Sequence, residues 1–129
     1  MIIFDTDIII WILRGDSDIV SKAKLISVET HGKIYITPIQ VAEIYSGMMN
    51  NEAKKTKELI ESFYFLDINK PIGELAGEYM HKYRKSHNIE LADAIIGAAA
   101  KIYSFKLFTL NTKHYPMLHK EDILIKLKH

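Results

Sequence analysis

The segment Leu91 to Ala100, reading Leu-Ala-Asp-Ala-Ile-Ile-Gly-Ala-Ala-Ala, constrains the fold most, because as a helix it has no fully polar face and is expected to be packed on several sides. It carries one carboxylate, Asp93. An ionised carboxylate in apolar surroundings costs several kcal/mol unless a cation, hydrogen bonds or a shifted pKa compensates it. No Lys or Arg lies within a helical turn of Asp93. Glu90 and Gly97, three residues before and four after, share its face, which puts a second acid beside it and open space above it. Two carboxylates and a gap point to a metal ion. The local alternative is an acid in the first turn of a helix, held by the macrodipole and by free backbone N–H groups. The choice depends on whether other segments bring further carboxylates to the same place.

The rest of the chain alternates strand and helix patterns. Met1 to Phe4 reads as a buried parallel strand, followed by a tight turn capped by Thr6 and a short helix through Ile8-Ile9-Ile10-Trp11-Ile12-Leu13. Asp5 then stands at the strand's carboxyl end, the edge of a parallel sheet where ligands collect. Asp7 is read as a first-turn acid in preference to a second ligand at that edge. Ser17 to Val28 is amphipathic, with Ile19, Val20, Ala23 and Ile26 or Leu25 inward. Lys33 to Ile36 is a second strand, and Thr37-Pro38 is a capping residue with proline at the first helical position, starting a helix to about Met49. Glu43 is the only charge on that helix, and Gly47 follows it by four residues, as Gly97 follows Asp93. Glycine inside a helix costs about 1 kcal/mol relative to alanine, so both placements suggest a need for room.

Glu52 to Phe65 reads as a helix whose Lys54, Lys55 and Lys57 form a solvated face or a contact with RNA or a partner. Phe65 to Ile68 is a third strand. A long helix then runs from Asn69 to about His87 and ends in His81-Lys82-Tyr83-Arg84-Lys85-Ser86-His87. Cations at a helix C-terminus need no functional reason, although bases interleaved with rings also suit a phosphate backbone. Lys106 to Leu110 is a fourth strand ending at Asn111, His114-Tyr115-Pro116 a short turn, and Ile123 to Ile125 a closing strand before a basic tail. The expected architecture is an α/β fold, a three-layer α/β/α sandwich on a mainly parallel central sheet, built by residues 1–129 as one domain.

Composition narrows the function. Seventeen Lys and Arg balance sixteen Asp and Glu, so bulk charge does not announce a nucleic-acid binder, although acids gathered in one site would leave a more basic exterior. The absence of cysteine excludes disulfides and thiolate zinc sites and fits a cytoplasmic location. Asp5 and Asp7 interrupt the first apolar run, so neither a signal peptide nor a membrane span is expected.

Asp5, Glu43, Asp93 and Asn111 all fall near one edge of such a sheet. Three clustered carboxylates repel one another, and Mg²⁺ or Mn²⁺ relieves this with hard oxygen ligands while keeping water in its shell. The chemistry implied is phosphodiester hydrolysis by a metal-activated water. No GxGxxG or Walker sequence competes with it.

The chain resembles the PIN-domain family, and within it the VapC-like ribonuclease toxins of toxin–antitoxin pairs. The resemblance rests on Ile3-Phe4-Asp5-Thr6-Asp7-Ile8-Ile9, on Val41-Ala42-Glu43-Ile44-Tyr45-Ser46-Gly47, on Ile89 to Ala100, and on Leu107-Phe108-Thr109-Leu110-Asn111. It implies a metal-dependent endoribonuclease in which Asp5, Glu43 and Asp93 hold one or two Mg²⁺ or Mn²⁺ ions, with Thr6 and Thr109 supporting them by hydrogen bonds. Where the family often has a fourth acid this chain has Asn111, which leaves the second metal position open and gives Glu90 a compensating role. The resemblance further implies an RNA substrate, a homodimer, and a small antitoxin whose tail lies in a groove, for which Trp11, Tyr45, Met48, Met49, Phe63 and Tyr64 are candidates. Two other readings compete. A receiver-like signalling domain also gathers acids at strand ends, but needs a phosphoryl-accepting Asp ending a middle strand and a Lys ending a later one, and no Lys follows Thr109 directly. A non-catalytic RNA- or protein-binding scaffold would have no need of three intact acids.

Overall fold

The computed structural model describes residues 1–124. Strands β1 (Ile2–Phe4), β2 (Ile34–Ile36), β3 (Tyr64–Phe65), β4 (Lys106–Phe108) and β5 (Ile123–Leu124) form one sheet in the order β3-β2-β1-β4-β5. Every pairing is parallel, with Ile2 opposite both Ile34 and Lys106. The helices are α1 (Thr6–Leu13), α2 (Ser17–Glu29), α3 (Pro38–Gly47), α4 (Ala53–Glu61), α5 (Lys70–His87) and α6 (Leu91–Tyr103). The three-layer sandwich expected from the sequence is the fold observed. Its strand order also separates it from receiver domains, whose flavodoxin-like sheets run 2-1-3-4-5.

Two cores follow from the two-residue period of the strands. Ile2 and Phe4 point to one face with Ile34, Ile36 and Phe108, where they meet Ile8, Ile9, Ile19, Ile26, Ile44 and Ile60 of the first four helices. Ile3 and Leu107 point to the other, against Ile72 and Ala76 of α5 and Ala94, Ile96 and Ala98–Ala100 of α6. The apolar run of α6 is therefore buried as its composition requires, although Leu91 at its first turn is exposed. The small residues admit α5 closely alongside. Phe4 completes the first core with edge-on contacts to Phe63 and Phe108.

Local sequence signals fixed several boundaries. Thr37 caps α3 by accepting from Ile39 N, Pro38 occupies its first turn, and Asn69 caps α5 by accepting from Ile72 N. Other boundaries moved. Asp5, not Thr6, is the cap of α1. The segment expected as one helix from Glu52 to Phe65 is a 3₁₀ turn (Asn50–Glu52), α4 and then β3, because Phe63 turns into the core and Tyr64–Phe65 pair with β2. Asp67 consequently lies beyond its strand, and β4 stops at Phe108, short of Thr109 and Asn111. Leu25 is exposed, so Ile26 is the inward residue of that pair. Ile125 and the basic tail lie outside the described residues. Among those described, no helix is long and apolar enough to cross a membrane.

Candidate active site

The chain switches direction across the sheet between β1 and β4, and the crevice beyond the carboxyl ends of these strands is where a parallel sheet binds ligands. Asp5 follows β1 and Thr109 follows β4. Gln40 fixes α3 to the same edge: its fully buried amide donates from Nε2 to the Phe4 carbonyl (3.0 Å), while its Oε1 accepts from Thr37 N at 3.0 Å and from Thr37 Oγ1. Glu43, one turn further along α3, is thereby brought to the end of β1. Asp93 arrives on the first turn of α6, its Oδ2 accepting from Glu90 N at 3.0 Å.

An open cleft of about 520 Å³ results, lined by Asp5, Asp7, Glu43, Glu90 and Asp93 together with Thr6, Asn111 and His114. Asp5 is 7% exposed, and three donors hold it: Thr6 N on Oδ1 (2.8 Å), and Thr109 Oγ1 (2.7 Å) and the Tyr115 phenol (2.9 Å) on Oδ2. Thr6 Oγ1 donates to Glu43 Oε1 at 2.5 Å, so one threonine links two of the acids. Asp7 Oδ2 accepts from Leu110 N (3.0 Å) and from Asn111 Nδ2 (3.1 Å). The imidazole of His114 lies 3.7 Å from Asp93 Oδ2.

The electrostatics are those of an anion cluster short of cations. Burial raises the carboxyl of Asp5 above its usual range against its hydrogen bonds from Thr109, Thr6 and Tyr115, and the charge of Asp93 adds to the rise. Burial and the charge of Asp5 lift Asp7 to about 6. Asp93 also moves up, chiefly by burial, with Glu90 and Glu43 adding repulsion and the Glu90 N–H and His114 opposing it. The Tyr115 phenol, buried beside these charges, is pushed well above its ordinary value and stays a donor.

Each site residue expected from the sequence lies at this cleft or touches one that does: Asp5, Thr6, Glu43, Asp93 and Asn111 line it, and Thr109 supports Asp5 from beneath. Glu90 lines it as well. As the side chains stand, no three His, Asp or Glu groups among the described residues are arranged to enclose one ion. Their oxygens are turned instead to Thr109, Tyr115, Thr6 and the Glu90 amide. The donor set nevertheless fits a hard divalent cation. It is made of carboxylate oxygens, and Asp7 Oδ1 is buried without a hydrogen-bond partner among the described residues.

Sequence reasoning missed Asp7, His114 and Tyr115. Asp7 had a sufficient local explanation as a first-turn acid, yet its carboxylate is engaged from more than 100 residues away. The only available signal was its position two residues after Asp5. The room beside Asp93 was also misread. A Cβ on Gly97 would lie 2.9 Å from Met117 Sδ, so that space is filled by a thioether, whereas Gly47 faces open space.

A smaller groove of about 240 Å³ adjoins the cleft and shares Ile10 and Glu43 with it; Leu13, Arg14, Ile44, Met48, Met49 and Glu52 also line it. Of the groove residues expected from sequence, Met48 and Met49 belong to it. Trp11 and Tyr45 are exposed, Phe63 is buried in the core, and Tyr64 sits on the edge strand β3.

Acids gathered at the switch point of a 3-2-1-4-5 parallel sheet define the class to which comparison with known proteins assigns the molecule. The model of the PIN domain matches residues 2–117, and the chain belongs to that family. Within it, the chain is similar to ribonuclease VapC10 of Mycobacterium tuberculosis, at 35% identity over 121 residues, covering 93% of this chain and 90% of that protein. Among solved structures it resembles a chain of a toxin–antitoxin complex from Klebsiella pneumoniae (TM-score 0.77, 22% identity, 95% of both chains). It also resembles a chain of FitAcB from Neisseria gonorrhoeae (TM-score 0.66, 26% identity, 89% and 91% of the two chains).

Proposed function

We propose that this protein is a metal-dependent endoribonuclease, the toxin of a toxin–antitoxin pair, acting on RNA phosphodiester bonds. The observation that carries the reading is the gathering of Asp5, Asp7, Glu43 and Asp93 around one open cleft, with three of the four carboxyls raised by burial and mutual charge. Its likeness to a ribonuclease over nine-tenths of both chains supplies the substrate class.

Asp5, Glu43 and Asp93 would hold Mg²⁺ or Mn²⁺, with Asp7 Oδ1 as a further free acceptor. Such an ion supplies an activated water and stabilises charge on the phosphoryl oxygens. The chain's own groups fix the oxygens. Thr6 Oγ1 orients Glu43, Thr109 and Tyr115 orient Asp5, and the Asn111 amide holds Asp7. Asn111 therefore takes the place of a fourth acid by positioning Asp7, and adds no negative charge. His114 places an imidazole at the cleft wall beside Asp93, within reach of an incoming phosphate.

The groove that shares Glu43 with the cleft, lined by Leu13, Ile44, Met48 and Met49 beside the charges of Arg14 and Glu52, suits the tail of a small antitoxin, and a homodimer is the assembly that the family resemblance implies. The experiment is cleavage of total RNA by the purified protein in Mg²⁺ or Mn²⁺, with Asp93→Asn and EDTA as controls. Cleavage that both controls abolish supports the reading. Cleavage that persists in EDTA refutes it.

A further inference from the structure

The oxygens of Asp5 are not held equally. Among the described residues, Oδ2 accepts from two side-chain hydroxyls, Thr109 Oγ1 at 2.7 Å and Tyr115 Oη at 2.9 Å, while Oδ1 accepts only from the Thr6 backbone N–H at 2.8 Å. A carboxylate has about four lone-pair sites, about two on each oxygen. Two donors fill Oδ2, and the remaining acceptor capacity belongs to Oδ1. Thr109 follows β4 directly, but Tyr115 comes from beyond a 3₁₀ turn (Thr112–His114), 110 residues from Asp5 in sequence, with its side chain 1% exposed. A phenol so deeply buried needs a partner for its O–H, and the one it has is the central acid of the cleft.

The same short segment touches each aspartate of the cleft. Thr109 and Tyr115 reach Asp5, Leu110 N and Asn111 Nδ2 reach Asp7, and His114 stands beside Asp93. Tyr115 is its far anchor, packed in the core of the α5–α6 face.

We propose that Tyr115 is a positioning residue for the cation site: its hydroxyl, with that of Thr109, occupies Oδ2 of Asp5 and so limits this acid to one-oxygen coordination through Oδ1. The inference rests on the proposed function, since it concerns the same site. Removing the hydroxyl frees Oδ2 and lets the carboxylate rotate. Partners of this kind behind a metal-binding carboxylate typically govern about 10- to 100-fold in metal affinity or activity.

The test is Mn²⁺ binding to the full chain without RNA, read by electron paramagnetic resonance of the free ion, for wild type, Tyr115→Phe and Thr109→Val. Tyr115→Phe keeps the ring in the core and loses only the O–H. Both variants are expected to bind Mn²⁺ about tenfold or more weakly. RNA cleavage by Tyr115→Phe should need correspondingly more Mn²⁺ for half-maximal rate and recover toward the wild-type rate at saturation, a split that a merely structural role would not produce. Melting in EDTA checks that each variant is folded, and if Tyr115→Phe is not, Thr109→Val decides by the same criterion. A folded variant that binds Mn²⁺ as tightly as wild type overturns the role of Tyr115 and leaves the nuclease reading standing. A wild-type protein that takes up no Mn²⁺ overturns both.

Discussion

Asp7→Asn tests the electrostatics of the cleft without reference to catalysis. Burial and the charge of Asp5 raise the Asp7 carboxyl from 3.8 to about 6 in the folded protein. A group whose folded pKa lies above its unfolded one binds its proton more tightly when folded. Stability is therefore greatest below the unfolded pKa, falls as pH rises from about 4 to about 6, and stays low above that. Two pKa units correspond to about 3 kcal/mol. Asp7 is only partly buried, and solvent screening reduces this to roughly 2 kcal/mol. The asparagine does not titrate, but it replaces the unpartnered Oδ1 with an amide donor in the same buried place, at a cost of about 1 kcal/mol that is the same at every pH. The informative quantity is the change in the difference between variant and wild type. In EDTA, Asp7→Asn should gain roughly 2 kcal/mol on wild type between pH 4 and pH 8, about 8 °C in Tm for a chain of this length. Denaturant melts or calorimetry at the two pH values measure it. A stability difference that does not change with pH would refute the claim that Asp7 is held as a strained anion.

Asp93→Asn should reduce RNA cleavage at least 100-fold while leaving the metal-free protein folded, and more stable at pH 8, because burial and the charges of Glu90 and Glu43 oppose its ionisation; an activity assay paired with a melt checks both halves. Excess EDTA should abolish cleavage by wild type, and adding back Mg²⁺ or Mn²⁺ should restore it. Mg²⁺ should also raise the wild-type Tm at neutral pH by relieving carboxylate repulsion, with a smaller rise for Asp5→Asn, as thermal shift would show. Gly77→Ala, in the interior of α5 where a Cβ meets nothing within 4 Å, should stabilise by about 1 kcal/mol without changing cleavage.

What could be read from the sequence was what local rules determine. The strand-helix alternation gave the layers, Thr37-Pro38 gave the start of α3, and the apolar run of α6 gave a buried helix with a misplaced acid. The convergence of Asp5, Glu43 and Asp93 followed from topology, since Asp5 stands just past a strand end and Asp93 and Glu43 stand in the first and second turns of helices on one sheet edge. Pairings between distant segments were not legible. Nothing near Asp7 shows that Asn111 will bond to it, and nothing near Tyr115 marks its hydroxyl as a donor to Asp5. Gly97 shows the same limit from the other side. A helical glycine records that something comes close, but only the fold shows that Met117 does. The division of Glu52–Phe65 into turn, helix and strand was decided by the pairing of Tyr64–Phe65 with β2, a tertiary contact that overrides helix periodicity.

The most direct measurement of the central claim, that Asp5, Glu43 and Asp93 share a divalent cation, is anomalous scattering from a crystal of this protein soaked in Mn²⁺. The expected result is a peak in the cleft within about 2.0–2.6 Å of oxygens from at least two of the three acids, with water completing the shell. A cleft without a peak at millimolar Mn²⁺, or an ion bound away from these residues, would contradict it.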